Sequence, residues 1–164
     1  MLILNSFNVY GQSSRLDKFN DEFEEMDIEE TTPGMDLEIE KPTVHVDIKG
    51  TSEDDKLKGG DGDDELSGED GNDVLVGLSG DDELKGGDGD DILEGEDGDD
   101  KLKGGDGDDI LNGGDGKDVL EGGEGSDLFI CDSDDKIKDF NSLEKDRKRG
   151  PCIVNDIGAT IPIQ

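Results

Sequence analysis

Gly59-Gly60-Asp61-Gly62-Asp63-Asp64-Glu65-Leu66-Ser67 is the stretch from which the rest of this 164-residue chain is read. Its pattern, G-G-x-G-x-D-x-L-x, recurs every nine residues. Upstream it reaches Gly50-Thr51-Ser52-Glu53-Asp54-Asp55-Lys56-Leu57-Lys58, and downstream it runs without insertion or deletion to Ile130, so residues 50–130 form nine units. The sixth position is aspartate throughout: Asp55, Asp64, Asp73, Asp82, Asp91, Asp100, Asp109, Asp118 and Asp127. The eighth is leucine from Leu57 through Leu120 and Phe129 in the last unit, and the fourth is glycine everywhere except at Glu53. A strict period of this kind marks a stacked architecture in which each unit buries its apolar face against its neighbours.

The period overrides the composition. With 48 Asp and Glu against 16 Lys and Arg, a net charge of -32 and 28% hydrophobic residues, a shuffled chain would stay disordered because it could not bury enough apolar surface. The charge also excludes partners. Nucleic acid needs Lys and Arg to displace its counterions, and anionic membranes repel such a chain. No apolar run spans a bilayer. Met1-Leu2-Ile3-Leu4 stops after one helical turn and has no basic segment before it, so neither membrane insertion nor a cleaved signal peptide is expected.

Each unit divides on paper into six turn residues and a three-residue strand. In Glu65-Leu66-Ser67 and Lys101-Leu102-Lys103 the central leucine points one way and its polar neighbours the other. Two units then close one coil, equivalent residues recur every 18 positions, and the leucines of two facing parallel sheets meet in a thin core. The expected fold is all-β: a parallel β-roll, or two-sheet β-solenoid, behind a disordered amino-terminal segment. Residues 1–42 form that acidic, mostly disordered segment. It ends in Thr31-Thr32-Pro33-Gly34, a turn signal, and the spacing of Phe19, Phe23 and Met26 leaves a short helix as the alternative to a solvated linker. Residues 43–49 form a capping strand, with Val44, Val46 and Ile48 on one face. Residues 131–164 hold a carboxyl-terminal cap, placed at Lys136–Asn141, and a tail.

Such a core does not fold unaided. Residues 50–130 carry 29 acidic and six basic side chains, a net of -23, and stacking sets Asp64 over Asp82 and Asp91 over Asp109. A cation between stacked loops removes the defect. Calcium takes six to eight oxygens in flexible geometry, whereas magnesium demands tighter octahedra and keeps its waters. Softer metals would want Cys or His, which the repeat lacks. Nine loops give seven pairs of the form n and n+2, hence up to about seven calcium ions, which would bring the repeat's charge to about -9.

The nonapeptide resembles the RTX, or haemolysin-type calcium-binding, repeat of secreted bacterial toxins, proteases and lipases. The resemblance covers 50–130 without a break. It implies a parallel β-roll whose ions are held by the sixth-position aspartates and by loop carbonyls at positions one to four. Carried onto this chain, it nominates the nine aspartates, with Asp55 weakest because Thr51 and Glu53 replace glycines in its loop. The nominated backbone positions are Gly60, Gly62, Gly71, Gly80, Gly87, Gly89, Gly98, Gly105, Gly107, Gly114 and Gly116. Glu69, Leu78 and Glu96 stand at position two of units three, four and six, a substitution that a carbonyl ligand tolerates. Leu128-Phe129-Ile130 and Asp139-Phe140 are similar to the aromatic cap that ends the array in that family.

Other features are assigned locally. The extra acids at positions three and five, such as Asp61, Asp63, Asp88 and Asp90, are expected to face solvent. His45 is the sole histidine and is read as a strand residue. Cys131 and Cys152 either remain free thiols or close a loop of about 20 residues, which would stabilise the cap by about 3 kcal/mol and suit an oxidising exterior. Lys145-Asp146-Arg147-Lys148-Arg149 is read as a solvated turn. Evenly repeated carboxylates form a lattice rather than a tuned catalytic pair, and the 49 residues before the repeat leave no room for a catalytic domain. The expectation is a non-enzymatic, extracellular calcium-binding module. A structural or adhesive surface, or the calcium-dependent export and folding region of a larger enzyme, are the alternatives.

Overall fold

The structure, a computed structural model, describes residues 25–28, 36–38 and 45–154. Successive strands alternate between two sheets. One holds β1 (Glu25–Ile28), β3 (His45–Lys49), β5 (Glu65–Asp70), β7 (Glu83–Asp88), β9 (Lys101–Asp106), β11 (Val119–Glu124), β13 (Lys136–Ile137) and β15 (Ile153–Val154) in that spatial order. The other holds β2 (Asp36–Glu38), β4 (Lys56–Lys58), β6 (Val74–Ser79), β8 (Ile92–Asp97), β10 (Ile110–Asp115), β12 (Leu128–Ile130) and β14 (Arg147–Arg149). Every pairing is parallel, and within the repeat its register is 18 residues, as in Leu84↔Leu102 and Leu93↔Leu111. This is the two-sheet parallel β-solenoid that the period implies.

The eighth position builds the core. Leu57, Leu66, Leu75, Leu84, Leu93, Leu102, Leu111, Leu120 and Phe129 are all buried to within 1% of full occlusion, joined by Val46, Ile48 and Ile137. The outward positions separate the two sheets. On the odd-numbered sheet Lys85 bridges Glu65 and Glu83, and Glu121 lies between Lys103 and Lys138. On the other sheet the seventh-position column runs Val74, Ile92, Ile110, Leu128, apolar side chains that remain half-buried.

The strands exceed their expected length. β5 to β11 each have six residues, running on through positions one to three of the following unit, so the turn shrinks to positions four to six. Regular alternation does not extend that far, but stacking replaces it: a backbone kink repeated every 18 residues lies over its own copy and still finds parallel hydrogen bonds. Position two carries the kink. Gly87, Gly105 and Gly114 have φ of 130°, 132° and 110°, while Glu69, Leu78 and Glu96 are held at 82°, 92° and 82°. A side chain in that region costs about 1–2 kcal/mol, so the three non-glycine units are tolerated but strained.

Both flanks continue the roll. Ile28 pairs with Ile48 and Leu37 with Leu57, so two strands lie beyond His45–Lys49, the segment expected to be the cap. The rest of residues 1–42, with Phe19, Phe23 and the helical alternative, lies outside the described residues, as does Val44. At the other end, β13 is followed by β14 and β15. The basic run read as a solvated turn instead supplies β14, which pairs with β12 at Leu128↔Arg147 and Ile130↔Arg149. Cys131 and Cys152 are bridged, with Cα atoms 5.6 Å apart. The rings of Phe129 and Phe140 lie 6.2 Å apart, closing the core with the expected aromatic contact.

Candidate metal centre

The sixth-position aspartates stand at the turn before each strand and form two columns, one along each edge of the roll. All nine are buried, with at most 2% exposure. From unit three onward each carboxylate leans toward the preceding coil, and its Oδ1 accepts the backbone N–H of the aspartate 18 residues earlier. Asp55 donates to Asp73 at 2.7 Å, Asp64 to Asp82 at 2.7 Å, Asp73 to Asp91 at 2.8 Å and Asp82 to Asp100 at 2.8 Å. Asp91 to Asp109, Asp100 to Asp118 and Asp109 to Asp127 continue the two ladders at 2.9–3.0 Å. The second oxygen is different. Oδ2 of Asp73, Asp82, Asp91, Asp100, Asp109, Asp118 and Asp127 is buried with no hydrogen-bond partner.

The seven orphaned oxygens equal in number the seven gaps between loops n and n+2. The loops at the ends of the roll are built otherwise. In Asp55 and Asp64 the Oδ2 accepts an N–H from its own loop, from Thr51 at 2.6 Å and Gly60 at 2.7 Å. Beyond the last repeat, Asp135 and Asp146 extend the two ladders by accepting from Asp118 and Asp127. Their second oxygens take Asp132 N–H and Asn141 N–H, both at 2.7 Å. Every terminal carboxylate is thus satisfied locally, and every interior one lacks one partner.

An unpaired buried carboxylate oxygen is costly, and the acidities register it. Burial first, and neighbouring carboxylates after it, push Asp82, Asp109 and Asp118 up to about 7 against the hydrogen bonds that oppose them. Asp91, Asp100 and Asp127 rise to about 6 from the same leading cause, and Asp73 and Asp64 are raised as well.

Backbone carbonyls of neighbouring loops approach closely, and at position one they lie beside the orphaned oxygens, as the Gly104 oxygen does for Asp91. Gly98, at φ 147°, approaches so closely that a Cβ there would lie 1.8 Å from the carbonyl oxygen of Gly80 in the previous loop. Gly71, Gly80, Gly89, Gly107 and Gly116 repeat the arrangement at position four, and Gly87, Gly105 and Gly114 at position two. At position one, a Cβ on Gly86 would lie 2.1 Å from the orphaned Oδ2 of Asp91. Gly60 and Gly62 belong to the terminal loop whose aspartate is already satisfied. Among the described residues no group of three or more His, Cys, Asp or Glu side chains converges. A cation here would therefore meet a carboxylate and surrounding carbonyls, the all-oxygen donor set that a hard, flexibly coordinated ion accepts.

The solvent-facing reading of the outer acids was incomplete. The fifth position is largely exposed, yet it forms a ladder in the opposite direction: Asp81 N–H donates to Asp63, Asp90 to Asn72, Asp99 to Asp81 and Asp108 to Asp90, all at 2.8–2.9 Å. Its repeated Asp at position five was the available signal. His45 lies in β3, with its Nδ1 against the carbonyl oxygen of Asp63.

A family model described as RTX calcium-binding nonapeptide repeat (4 copies) matches residues 47–75, 67–102 and 94–129, together half of the chain. A search of curated proteins finds no match.

Proposed function

The chain belongs to the RTX calcium-binding nonapeptide-repeat family, and from that premise we propose that it is a calcium-driven folding module acting outside the cell, without catalytic activity of its own. Calcium binding and the β-roll follow from the family and the fold. The finer reading concerns the ligands. One ion lies in each of the seven interior gaps, held by the carboxylates of Asp73, Asp82, Asp91, Asp100, Asp109, Asp118 and Asp127, and by loop carbonyls at positions one to four. Asp55 and Asp64 close the first two loops by hydrogen bonding and contribute their loops' backbone to the first gaps.

The observation that carries this reading is the set of seven orphaned, buried Oδ2 atoms bounded at each end by carboxylates that are not orphaned. When bound, calcium supplies positive charge and oxygen coordination at those atoms. The chain's own residues do the rest. The Oδ1 ladders fix each carboxylate's orientation, the glycines let successive loops approach, and the leucine column holds the two sheets together.

An extracellular site supports this role, since millimolar calcium is available there and the Cys131–Cys152 bridge suits an oxidising compartment. The absence of catalysis is inferred from the carboxylates themselves: they repeat in near-identical surroundings rather than dividing into an acid and a base.

Two measurements test the proposal. Circular dichroism should show coil turning to β as calcium is added, with magnesium far less effective, and calorimetry should count about seven ions per chain. An unchanged spectrum at millimolar calcium would overturn the reading. A count near nine would return Asp55 and Asp64 to the ligand set.

A further inference from the structure

The two sheets turn different faces outward. On the eight-stranded sheet the outward side chains are tied to one another, Lys85 to Glu65 and Glu83, and Lys103 and Lys138 to Glu121. On the seven-stranded sheet position seven sets Val74, Ile92, Ile110 and Leu128 in one column, and position nine adds Val76 and Ile130 at the two ends of a second. These six side chains are half-buried, in the same range as Glu65, Glu83 and Lys85, so they face outward as those do. The apolar strip is three strand spacings long, about 14 Å.

Read from either end, the strip has the same order. Apolar pairs stand at its ends, Val74 with Val76 on β6 and Leu128 with Ile130 on β12. Its two middle strands each pair an isoleucine with a polar residue, Ile92 with Glu94 on β8 and Ile110 with Asn112 on β10. A basic strand lies beyond each end, Lys56 and Lys58 on β4 and Arg147 and Arg149 on β14. Such a surface complements itself under a two-fold rotation whose axis runs parallel to the strands, between β8 and β10.

We propose that this face packs on the same face of a second copy of the chain, sheet against sheet about 10 Å apart with the strands aligned. Val74 then meets Leu128 of the second copy, Val76 meets Ile130, and Ile92 meets Ile110. Glu94, the one acid in the strip, faces the amide of Asn112, which donates to it, and symmetry makes this contact twice. No strand edge is used, so the contact is isologous and closes at a dimer. The same rotation sets Lys56 and Lys58 opposite Arg147 and Arg149, and each chain carries a net charge of -32. Charge therefore opposes a contact that apolar burial drives, and salt strengthens it. The face is small, well under about 800 Å² per copy, so the dimer is weak and dependent on concentration.

The dimer rests on the calcium-loaded roll, and circular dichroism separates the two ideas: a chain that stays coil in calcium sinks both, while one that folds but never associates sinks this proposal alone. Sedimentation of the full chain in calcium should show monomer passing to dimer, and no further, as concentration rises, with the transition at lower protein in about 0.5 M salt than in dilute buffer. Ile92→Lys with Ile110→Lys places charge at the centre of the strip and should weaken the dimer by about a hundredfold or more. Arg147→Glu with Arg149→Glu sets acids opposite Lys56 and Lys58 of the second copy and should tighten it by about tenfold. A misfolded variant cannot imitate that gain, and both variants should keep the wild-type circular dichroism and ion count. Wild-type chain that stays monomeric or grows beyond a dimer, an isoleucine variant that associates like wild type, or an arginine variant that associates no better would each overturn the interface.

Discussion

Interior and terminal loops share an aspartate at the same place in the turn, but they treat its second oxygen in opposite ways. In the interior the oxygen is buried and unpartnered at Asp73 through Asp127. At the ends an N–H three to five residues upstream satisfies it, as Gly60 does for Asp64 and Asn141 for Asp146. Such a hydrogen bond needs no neighbouring loop, whereas a shared cation does. Loops with an aspartate loop on both sides are left open to an ion, and loops with one on a single side close on themselves. The array therefore ends by hydrogen bonding rather than by loss of its aspartates, and an aspartate's place in the stack decides its chemistry as much as its place in the motif.

Substitution should break the symmetry between the two kinds of loop most severely. Asp91→Ala with Asp109→Ala interrupts one ladder at adjacent gaps and should lower the calcium count from about seven to about five, with a large loss of calcium-induced β signal. Asp64→Ala should leave the count unchanged. It gives up two backbone hydrogen bonds, from Val46 and Gly60, at about 1 kcal/mol each. Equal loss of calcium in the two variants, measured by calorimetry, would erase the distinction.

The closed carboxyl-terminal end is held covalently as well. Cys131→Ser with Cys152→Ser should destabilise the calcium-loaded roll by about 3 kcal/mol in thermal unfolding while the ion count stays the same.

Protons should act on the open loops. In the calcium-free roll burial pushes Asp82, Asp91, Asp100, Asp109, Asp118 and Asp127 up to about 6 to 7, above the ordinary 3.8. Between those limits the rolled form binds more protons than the unfolded chain. Its stability therefore rises as pH falls through about 7 toward about 4, and is least at alkaline pH. In chelator, β signal should be stronger near pH 5 than near pH 8, and calcium affinity should be weaker at the lower pH, because protons occupy the oxygens that the ion requires.

The smallest effect belongs to position two. Leu78→Gly relieves a side chain held at φ 92°, against the entropy that glycine adds to the unfolded chain. The net gain should be about 1 kcal/mol or less, seen as a slight rise in the calcium-loaded melting temperature.

The roll was legible because one residue per nine carries the core. Leu57 through Phe129 can be inside together only if the chain coils with that period. The sixth-position aspartates were legible for the same reason. What escaped was whatever depends on stacking rather than on the motif. The strands run on through Gly86-Gly87-Asp88 because each kink rests on its copy, which no single unit reveals. Asp64 looks like Asp82 in sequence, and the N–H of Gly60 separates them only in three dimensions. Arg147–Arg149 has no apolar alternation to mark it as a strand; it is extended because β12 offers an unpaired edge. Asp135 lay closer to view, since Asp135-Lys136-Ile137 repeats the end of the motif after a shortened loop.

The division of outward residues between the sheets makes the length of the protein adjustable in steps of a particular size. Excising two units, for example residues 86–103, rejoins the chain in phase and keeps every later strand in its own sheet, so the charged column and the apolar column stay apart. Excising one unit would send every later strand to the opposite sheet, so that Ile110 and Leu128 joined the column of Glu65 and Glu83. Duplication and deletion in such a gene are thus tolerated by the core in multiples of nine, but by the surface in multiples of eighteen.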